Sequence, residues 1–421
     1  MIVAVCPSDP FVEWPTTGEP LMGISWFRLV DRRLMQRVDG VDWMDVYNRL
    51  PLSTLDEAAG FSSPHWRASM GHTSRDEWWG PLRYQHRFEE LDIPVFHVSG
   101  WYDDEQIGTP MNFQGMANHA RSETARRGQR LLMGPWGHAY NTTEKLGEVD
   151  FGREALIDFD GQTADWLDAV LGRGGALPEA PVRIFVMGEN RWRDEMEWPL
   201  ARTTFVAYFL HSGGSAHSRY GDGVLSTEAP FADEAPDVYT YDPARPVPFI
   251  TQPDSGQIGG PDDYSAVEQR GDVLCYTTEP LETDLEVTGP VRLRLFASST
   301  AVDTDFTAKL VDVHPGGFCQ RLCDSVVRAR YREGVERAVF MEPGRVYEFD
   351  IHMWNTSQVF LAGHRIRLEV SSSAFPKYDR NLNTGEDIGT GTRMAIAENS
   401  VWHDAERPSA LVLPVVGEKH Q

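Results

Sequence analysis

The pattern of apolar residues changes near residue 200, and this change limits the folds that the chain can adopt. Before it, short and mostly apolar runs such as 93–98 and 130–133 alternate with segments of helical spacing such as 156–171. This order is typical of a parallel α/β sheet covered on both faces. After it, apolar and polar residues alternate in 291–295 and 366–370, as in strands with one solvated face. The sequence therefore predicts an α/β region followed by an all-β sandwich.

Net charge excludes several classes of protein. The chain has 421 residues, of which 63 are acidic and 39 basic, and its formal net charge is −24. A surface this acidic repels phosphate groups and anionic lipids. No run approaches the roughly eighteen apolar residues that a membrane span needs. We therefore predict that the chain binds neither nucleic acid nor membranes.

Cysteine and histidine usage gives no sign of a metal or another cofactor. The four cysteines are too few for a disulfide framework and lack zinc-site spacing, which predicts free thiols at Cys6, Cys275, Cys319 and Cys323. The 13 histidines show no H-E-x-x-H or similar spacing. We expect no metal and no cofactor.

The first residues are typical of a strand rather than of a targeting segment. Residues 2–6 are apolar, but they lack the basic region and the length of a signal peptide. We therefore predict a cytoplasmic protein. A strand of this kind expects neighbours on both edges, and an open apolar edge favours association. The expected protein partner is a second copy of the chain or a complementing N-terminal half.

Two segments that could carry chemistry follow the apolar runs of the α/β region. They are Gly100-Trp101-Tyr102-Asp103 and Gly134-Pro135-Trp136-Gly137-His138. Carboxyl ends of parallel strands meet at one edge of a sheet, where ligands and catalytic groups collect. There Asp103 would orient the imidazole of His138, leaving the other ring nitrogen as a general base. An Asp and a His at this spacing also occur together by chance, so two ordinary turns remain the alternative.

The same two segments resemble the acid and histidine motifs of the cocaine esterase and X-Pro dipeptidyl-peptidase family, the CocE/NonD hydrolases. Further blocks that resemble the family are 182–188 with Trp192-Arg193, 304–313 and 371–381. The resemblance implies a serine hydrolase of esters or amides that acts on acyl or X-Pro dipeptidyl substrates through an acyl-enzyme. It also implies an α/β-hydrolase core at 1–202 with a helical cap at about 20–90, and a jelly roll (galactose-binding-like) at 203–421.

The resemblance also implies roles for single residues. Asp103 falls on the position of the acid and His138 on that of the histidine. Glu105, two residues after the acid, falls on a position that shapes the acyl pocket, and its charge disfavours an aromatic acyl group. A jelly-roll loop also contributes, for which residues 252–263 are a candidate. Further candidates for the pocket are Trp101, Tyr102 and Trp136.

The nucleophile is the one part of this pattern that the sequence does not supply. A nucleophilic serine needs a G-x-S-x-G turn, and Ser8, Ser25, Ser99 and Ser215 all lack it. Ser25 is expected to cap a helix and Ser8 to lie in a turn. We therefore expect this chain alone to be inactive. Three explanations stay open: part of a longer hydrolase, a half-enzyme that needs a partner chain, or a non-catalytic binding protein.

Overall fold

The computed structural model describes residues 1–231, 233–252, 254 and 256–417. The α-helices are α1 (Pro10–Glu13), α2 (Gly23–Val30), α3 (Trp43–Tyr47), α4 (Leu55–Ala58), α5 (Pro64–Ser69), α6 (Gly108–His119), α7 (Glu123–Arg127) and α8 (Phe159–Val170). Short 3₁₀ segments are Leu52–Thr54, Glu77–Leu82, Gln85–Glu90, Arg153–Ala155, Val267–Gln269 and Ala329–Tyr331.

Strands of the first part of the chain are β1 (Ile2–Ala4), β2 (Phe96–Gly100), β3 (Arg130–Gly134), β4 (Lys145–Leu146), β5 (Val149–Asp150), β6 (Val182–Val186) and β7 (Arg191–Glu195). Those of the second part are β8 (Thr203–His211), β9 (Val224–Ser226), β10 (Asp237–Tyr241), β11 (Leu274–Thr277), β12 (Leu285–Ser299), β13 (Asp305–Val313), β14 (Cys319–Arg328), β15 (Tyr347–Phe360), β16 (Arg365–Ser371), β17 (Ala397–Trp402) and β18 (Ala410–Val416).

A five-stranded sheet organises the first part of the chain. Strands β1, β2, β3 and β6 lie side by side in parallel, and β7 joins β6 antiparallel. Phe96 on β2 packs towards Trp166 of α8, whereas Leu131 and Met133 on β3 pack towards Phe113 of α6. Both faces are covered, which explains why the β2 and β3 segments are almost wholly apolar. The carboxyl ends of β2 and β3 therefore lie together at one edge.

The second part of the chain forms an eleven-stranded sheet. Its order is β10-β17-β12-β18-β8-β9-β11-β16-β13-β14, with β15 paired to β12. The pairs are antiparallel apart from β9 with β11. Apolar side chains of these strands form one continuous core. An α/β region followed by a β-rich jelly roll is thus confirmed. The boundary that we propose at 202/203 lies between β7 and β8.

The prediction that the β-rich strands have one solvated face is wrong for β13, β14 and β16, which are almost wholly buried. Arg367 and Glu369 alternate with core residues of β16, yet both are buried. Glu369 pairs with Lys309 of β13 at 2.7 Å, and Arg367 pairs with Glu268 at 2.5 Å. Helices α2–α5 pack over this face together with Val247, Phe249, Ile258, Tyr264, Val267 and Val273. Ion pairing, rather than water, satisfies these charges.

In the region 20–90, the helical spacing of the apolar residues Trp26, Leu29, Val30 and Leu34 predicts a first helix longer than the one that forms. Helix α2 ends at Val30, and Leu34, which continues the apolar spacing, is 73% exposed. Because the exposed Leu34 packs against no surface, extending the helix to it would bury no apolar side chain. Ser25 lies inside α2 and donates to the carbonyl of Met22, so its prediction as a helix cap is wrong. Within the described residues, no helix has the length and apolar character of a membrane span.

Candidate active site

Gly100 allows the loops after β2 and β3 to approach each other. The amide of Trp101 donates to the carbonyl of Gly134, and that of Tyr102 to the carbonyl of Trp136, both at 2.9 Å. A Cβ atom at Gly100 would lie 2.0 Å from that Trp136 oxygen. The contact therefore requires glycine, and it brings the next residues of both loops to one place.

Asp103 and His138 meet at this place. The Asp103 carboxylate is buried and its Oδ1 lies 3.0 Å from Nδ1 of His138. Its Oδ2 accepts a 2.6 Å hydrogen bond from Ser99 Oγ. Across the described part of the chain, Nε2 of His138 has no hydrogen-bond partner. The acid thus fixes one nitrogen of the ring and leaves the other available for proton transfer.

A second carboxylate, Asp104, also contacts the histidine. Its Oδ1 lies 3.2 Å from Nδ1 of His138. The hydrogen bonds with Asp103 and Asp104 raise the pKa of His138 to about 11. Burial raises the pKa of Asp103, although the contact with His138 opposes this. The two carboxylates therefore favour the imidazolium form of the ring. Asp104 was not predicted from the sequence, although its place directly after Asp103 is a signal.

The histidine opens on a cavity of about 600 Å³ between these loops and the first helices. His138, Asp104 and Glu105 form part of its wall. Apolar side chains cover much of the rest: Trp14, Trp26, Phe27, Leu29, Trp79 and Leu82. The cavity is large enough for a small organic substrate, and aromatic rings offer it flat, apolar surface.

Three glutamates make this cavity unusual. Glu13 and Glu19 come from α1 and from the segment that follows it, and Glu105 comes from the loop after β2. Burial, with the nearby charges of Asp104 and Asp103, raises the pKa of Glu105 to about 8. Burial raises the pKa of Glu19 to about 8 and that of Glu13 well above its ordinary value. A cation bound beside these carboxyl groups would favour their ionised form.

Of the four residues predicted for the pocket, Glu105 lines the cavity and the three aromatic residues do not. Trp101, Tyr102 and Trp136 are buried in the core. The indole of Trp101 donates to the carbonyl of Phe185 at 2.8 Å, and that of Trp136 to Ala155 at 2.9 Å. These inward hydrogen bonds turn the rings away from the cavity. The aromatic wall comes from the helical segment instead.

The candidate loop 252–263 reaches the site, with positions 253 and 255 outside the described residues. Asp254, Gly256 and Ile258 line the cavity. Gln257 accepts from the amide of His138 at 3.2 Å and donates to the carbonyl of Tyr102 at 3.1 Å. Thus a side chain from the β-rich region joins the two loops that carry the histidine and the acid.

The serines considered from sequence do not contact the free ring nitrogen. Ser99 is engaged with Asp103, and Ser8 lines the cavity with its Oγ directed to the carbonyl of Asp9 at 3.4 Å. Asp103, Asp104 and His138 each offer a ligand atom within 4.8 Å of the others, so this group could also hold a cation. As it stands, the site pairs a histidine with two carboxylates.

Comparison with known proteins decides the family. The family model for the X-Pro dipeptidyl-peptidase C-terminal non-catalytic domain matches residues 175–412, and that for X-Pro dipeptidyl-peptidase (S15 family) matches residues 28–140. Cocaine esterase from Rhodococcus sp. (strain MB1 Bresler) is 42% identical over 356 residues, which are 82% of this chain. The chain belongs to the cocaine esterase and X-Pro dipeptidyl-peptidase family. The resemblance seen in the sequence is confirmed.

Two solved structures of hydrolases extend the comparison. An aminopeptidase from a marine sediment Thaumarchaeota archaeon superposes with a TM-score of 0.86 at 27% identity, over 99% of this chain. An α-amino acid ester hydrolase superposes with a TM-score of 0.84 at 25% identity, over 98% of this chain. The chain spans 60% of the length of the cocaine esterase and 72% of each of these structures.

Proposed function

We propose that this chain supplies the acid, the histidine base and the substrate cavity of a serine hydrolase that cleaves esters or amides. One observation carries the proposal: Asp103 holds Nδ1 of His138 at 3.0 Å while the ring faces a cavity of about 600 Å³. Family membership supports it, because the similar proteins are named as esterases and peptidases. The proposed serine comes from outside the described residues.

In this mechanism His138 accepts a proton and then passes it on. In the neutral form of the ring, Nε2 accepts the proton of the serine hydroxyl as its oxygen attacks the substrate carbonyl, and then gives that proton to the leaving alcohol or amine. Water then attacks the acyl-enzyme, and its proton passes through Nε2 to the serine oxygen. This releases the carboxylic acid product and restores the serine. Asp103 remains ionised throughout and stabilises the imidazolium through Nδ1.

The three glutamates favour a substrate whose acyl part carries an ammonium group. A cation placed among Glu13, Glu19 and Glu105 would compensate carboxylates whose pKa values burial has raised. Two of the similar structures are named as an aminopeptidase and an α-amino acid ester hydrolase. We therefore propose an amino acid or peptide acyl group with a free ammonium in preference to the acyl group of cocaine.

The open edge of the first sheet is the proposed entry for the serine. Within the described residues β1 pairs with β2 alone, and Ile2 on it is 38% exposed. An apolar groove of about 400 Å³ runs beside it, lined by Met1, Val3, Cys6, Tyr84, Leu91 and Met116. Strands added at this edge would continue the parallel sheet and could present a G-x-S-x-G turn towards His138. A longer chain and a complementing chain are both consistent with this arrangement, whereas pairing with a second copy through β1 would block it.

A binding protein without turnover is the second candidate. It is favoured by the raised pKa of His138, about 11, because few rings would then be unprotonated and able to accept a proton at neutral pH. A protein of this kind would use the carboxylates of the cavity to hold a cationic ligand and leave it unchanged.

A matched pair of esters tests the proposal. The protein, extended or complemented so that it carries the G-x-S-x-G turn, is assayed with phenylalanine p-nitrophenyl ester and with its analogue that lacks the amino group. We expect the protein to hydrolyse both esters. In E105Q, kcat/KM should fall about tenfold or more for the amino ester alone, because a charge-assisted contact with its ammonium group is lost. Binding without hydrolysis would establish the second candidate, and an equal loss for both esters would refute the ammonium site.

A further inference from the structure

A cluster of two histidines and an aspartate, side chains of types that can bind metals, lies at one end of the β-rich region, away from the lining of the cavity. Asp312 is near the end of β13, His314 follows that strand, and His364 precedes β16. Because β13 pairs with β16 so that Val313 lies opposite Arg365, the register brings the two histidines to the same end of the sheet.

Donor atoms of these three residues converge. Nδ1 of His364 lies 2.8 Å from Oδ1 of Asp312, and Nε2 of His314 lies 4.0 Å from Oδ2. The two imidazole rings have centroids 4.3 Å apart and are tilted by 39°. One donor atom from each residue lies within 4.8 Å of the other two. Zinc ligands at about 2.0–2.2 Å from the ion stand roughly 3.3 Å apart, so small movements would close the site.

The charge of Asp312 supports a bound cation. Its carboxylate is fully buried, like that of Asp305, yet Asp305 pairs with the guanidinium of Arg328. Across the residues that the structure describes, the ion pairs of Asp312 are with His314 and His364 alone. Two protonated imidazoles in ring contact would repel each other. A divalent cation bound by two neutral rings would compensate the buried charge without that repulsion.

We propose that Asp312, His314 and His364 bind a divalent transition metal, with zinc as the representative ion. Two imidazoles and one carboxylate are donors that suit such metals better than calcium or magnesium. The proton that His364 shares with Asp312 leaves to solvent on binding. About a third of the His314 side chain is exposed, which gives the metal a path of entry.

A neighbouring glutamine connects this site to the loop of the acid. Oε1 of Gln320 lies 3.2 Å from Nε2 of His314, and its amide group donates to the hydroxyl of Tyr102 at 3.3 Å. Tyr102 directly precedes Asp103. A metal bound at Nε2 of His314 would replace the hydrogen bond with Gln320, and would itself tie the turn after β13 to the residue before β16 through His314 and His364. The role that this geometry assigns to the metal is structural.

Calorimetric zinc titration of the untagged, chelator-treated protein tests the site. The group of Asp103, Asp104 and His138 could also take a cation, so H138Q serves as the background in which that group is disabled. We expect H138Q to bind one equivalent of zinc, and H138Q/H314Q/H364Q to lose it or to bind at least about tenfold more weakly. No binding to H138Q, or unchanged binding to the triple variant, would overturn the proposal.

Cobalt(II) absorption provides a second readout that does not depend on activity. H138Q should give the visible spectrum of a nitrogen- and oxygen-ligated ion, and the triple variant should not. Both histidines are partly exposed, so glutamine at these positions should leave the protein folded, as far-ultraviolet circular dichroism would verify. A cobalt spectrum that is the same in both variants would contradict the assignment. Neither readout involves ester hydrolysis, so the metal site can fail while the proposed function stands, and the reverse.

Discussion

Oδ1 of Asp104 lies 3.2 Å from Nδ1 of His138, on the same ring nitrogen that the carboxylate of Asp103 contacts. The histidine therefore faces two carboxylates through one nitrogen. Asp103 is fully buried, whereas 17% of the Asp104 side chain is exposed. We therefore expect Asp103 to orient the ring and Asp104 mainly to adjust its charge.

Asp104→Asn is expected to lower the pKa of His138. One of the two negative charges that stabilise the imidazolium is removed, so a fall of about one unit or more from about 11 should follow. Titration of the His138 ring by NMR would measure it. Because His138 acts as a base only when deprotonated, the acid limb of any pH–rate profile should shift to lower pH. An unchanged or higher pKa in D104N would contradict this assignment.

Gly100→Ala is expected to destabilise the protein and to separate the two loops. A methyl group 2.0 Å from the carbonyl oxygen of Trp136 forces the backbone apart, at a cost of about 3 kcal/mol in the free energy of unfolding. Urea denaturation measures that cost. G271A is the matched control, since a Cβ at Gly271 meets no atom within 4 Å. Equal stability of the two variants would show that the contact between the loops is not tight.

Binding of a cationic ligand in the cavity is expected to strengthen as the pH rises through about 8. Glu19 and Glu105, whose pKa values are raised to about 8, are neutral below that pH and negative above it. A quaternary ammonium ligand keeps its charge throughout, so its pH dependence reports the protein alone. Calorimetry between pH 6 and pH 9 should show rising affinity, with a flatter profile in E105Q. A neutral ligand of the same shape should show no trend, and a trend of equal size for both ligands would refute the explanation.

Lys377→Met is expected to destabilise the protein through its buried ion pair. Nζ of Lys377 lies 2.6 Å from Oδ2 of Asp324, and both side chains are buried. Removing Lys377 leaves the buried charge of Asp324 less compensated, which should lower the free energy of unfolding by about 3 kcal/mol. This is near the lower end of the usual cost of breaking a buried ion pair, because Arg321 still contacts Asp324. Urea denaturation is the measurement. R37A, which removes one partner of an exposed ion pair, should cause no measurable change, and a K377M variant as stable as the wild type would contradict the assigned role.

Much of the fold and of the candidate site could be predicted from strand periodicity and the positions of strand ends. Asp103 and His138 could be placed together because parallel strands deliver their carboxyl ends to one edge, and β2 and β3 pair in that way. Trp101 and Trp136 could not be placed, since a ring beside a catalytic loop can face the core or the cavity. Their indole hydrogen bonds to distant carbonyls decide that orientation, and no local pattern records them.

The acidic character of the cavity could not be predicted from the sequence either. Glu105 was assigned from its place after the acid, but Glu13 and Glu19 come from another part of the chain. They reach the cavity only because α1 and the following segment pack there. The same limit applies to Arg367 and Glu369, whose alternation with apolar residues suggests a solvated face. Packing by helices from the first hundred residues, which periodicity within a strand cannot reveal, covers that face instead.

The most direct test of the account is fluorophosphonate labelling of the protein that carries the G-x-S-x-G turn, with H138Q and D103N as variants. Rapid labelling of the serine in that turn, slowed by about a thousandfold or more in H138Q and strongly in D103N, is the predicted result. Equal labelling of the wild type and H138Q, or stoichiometric labelling of a serine within this chain alone, would contradict the assignment of His138 as the base for a serine supplied from outside the described residues.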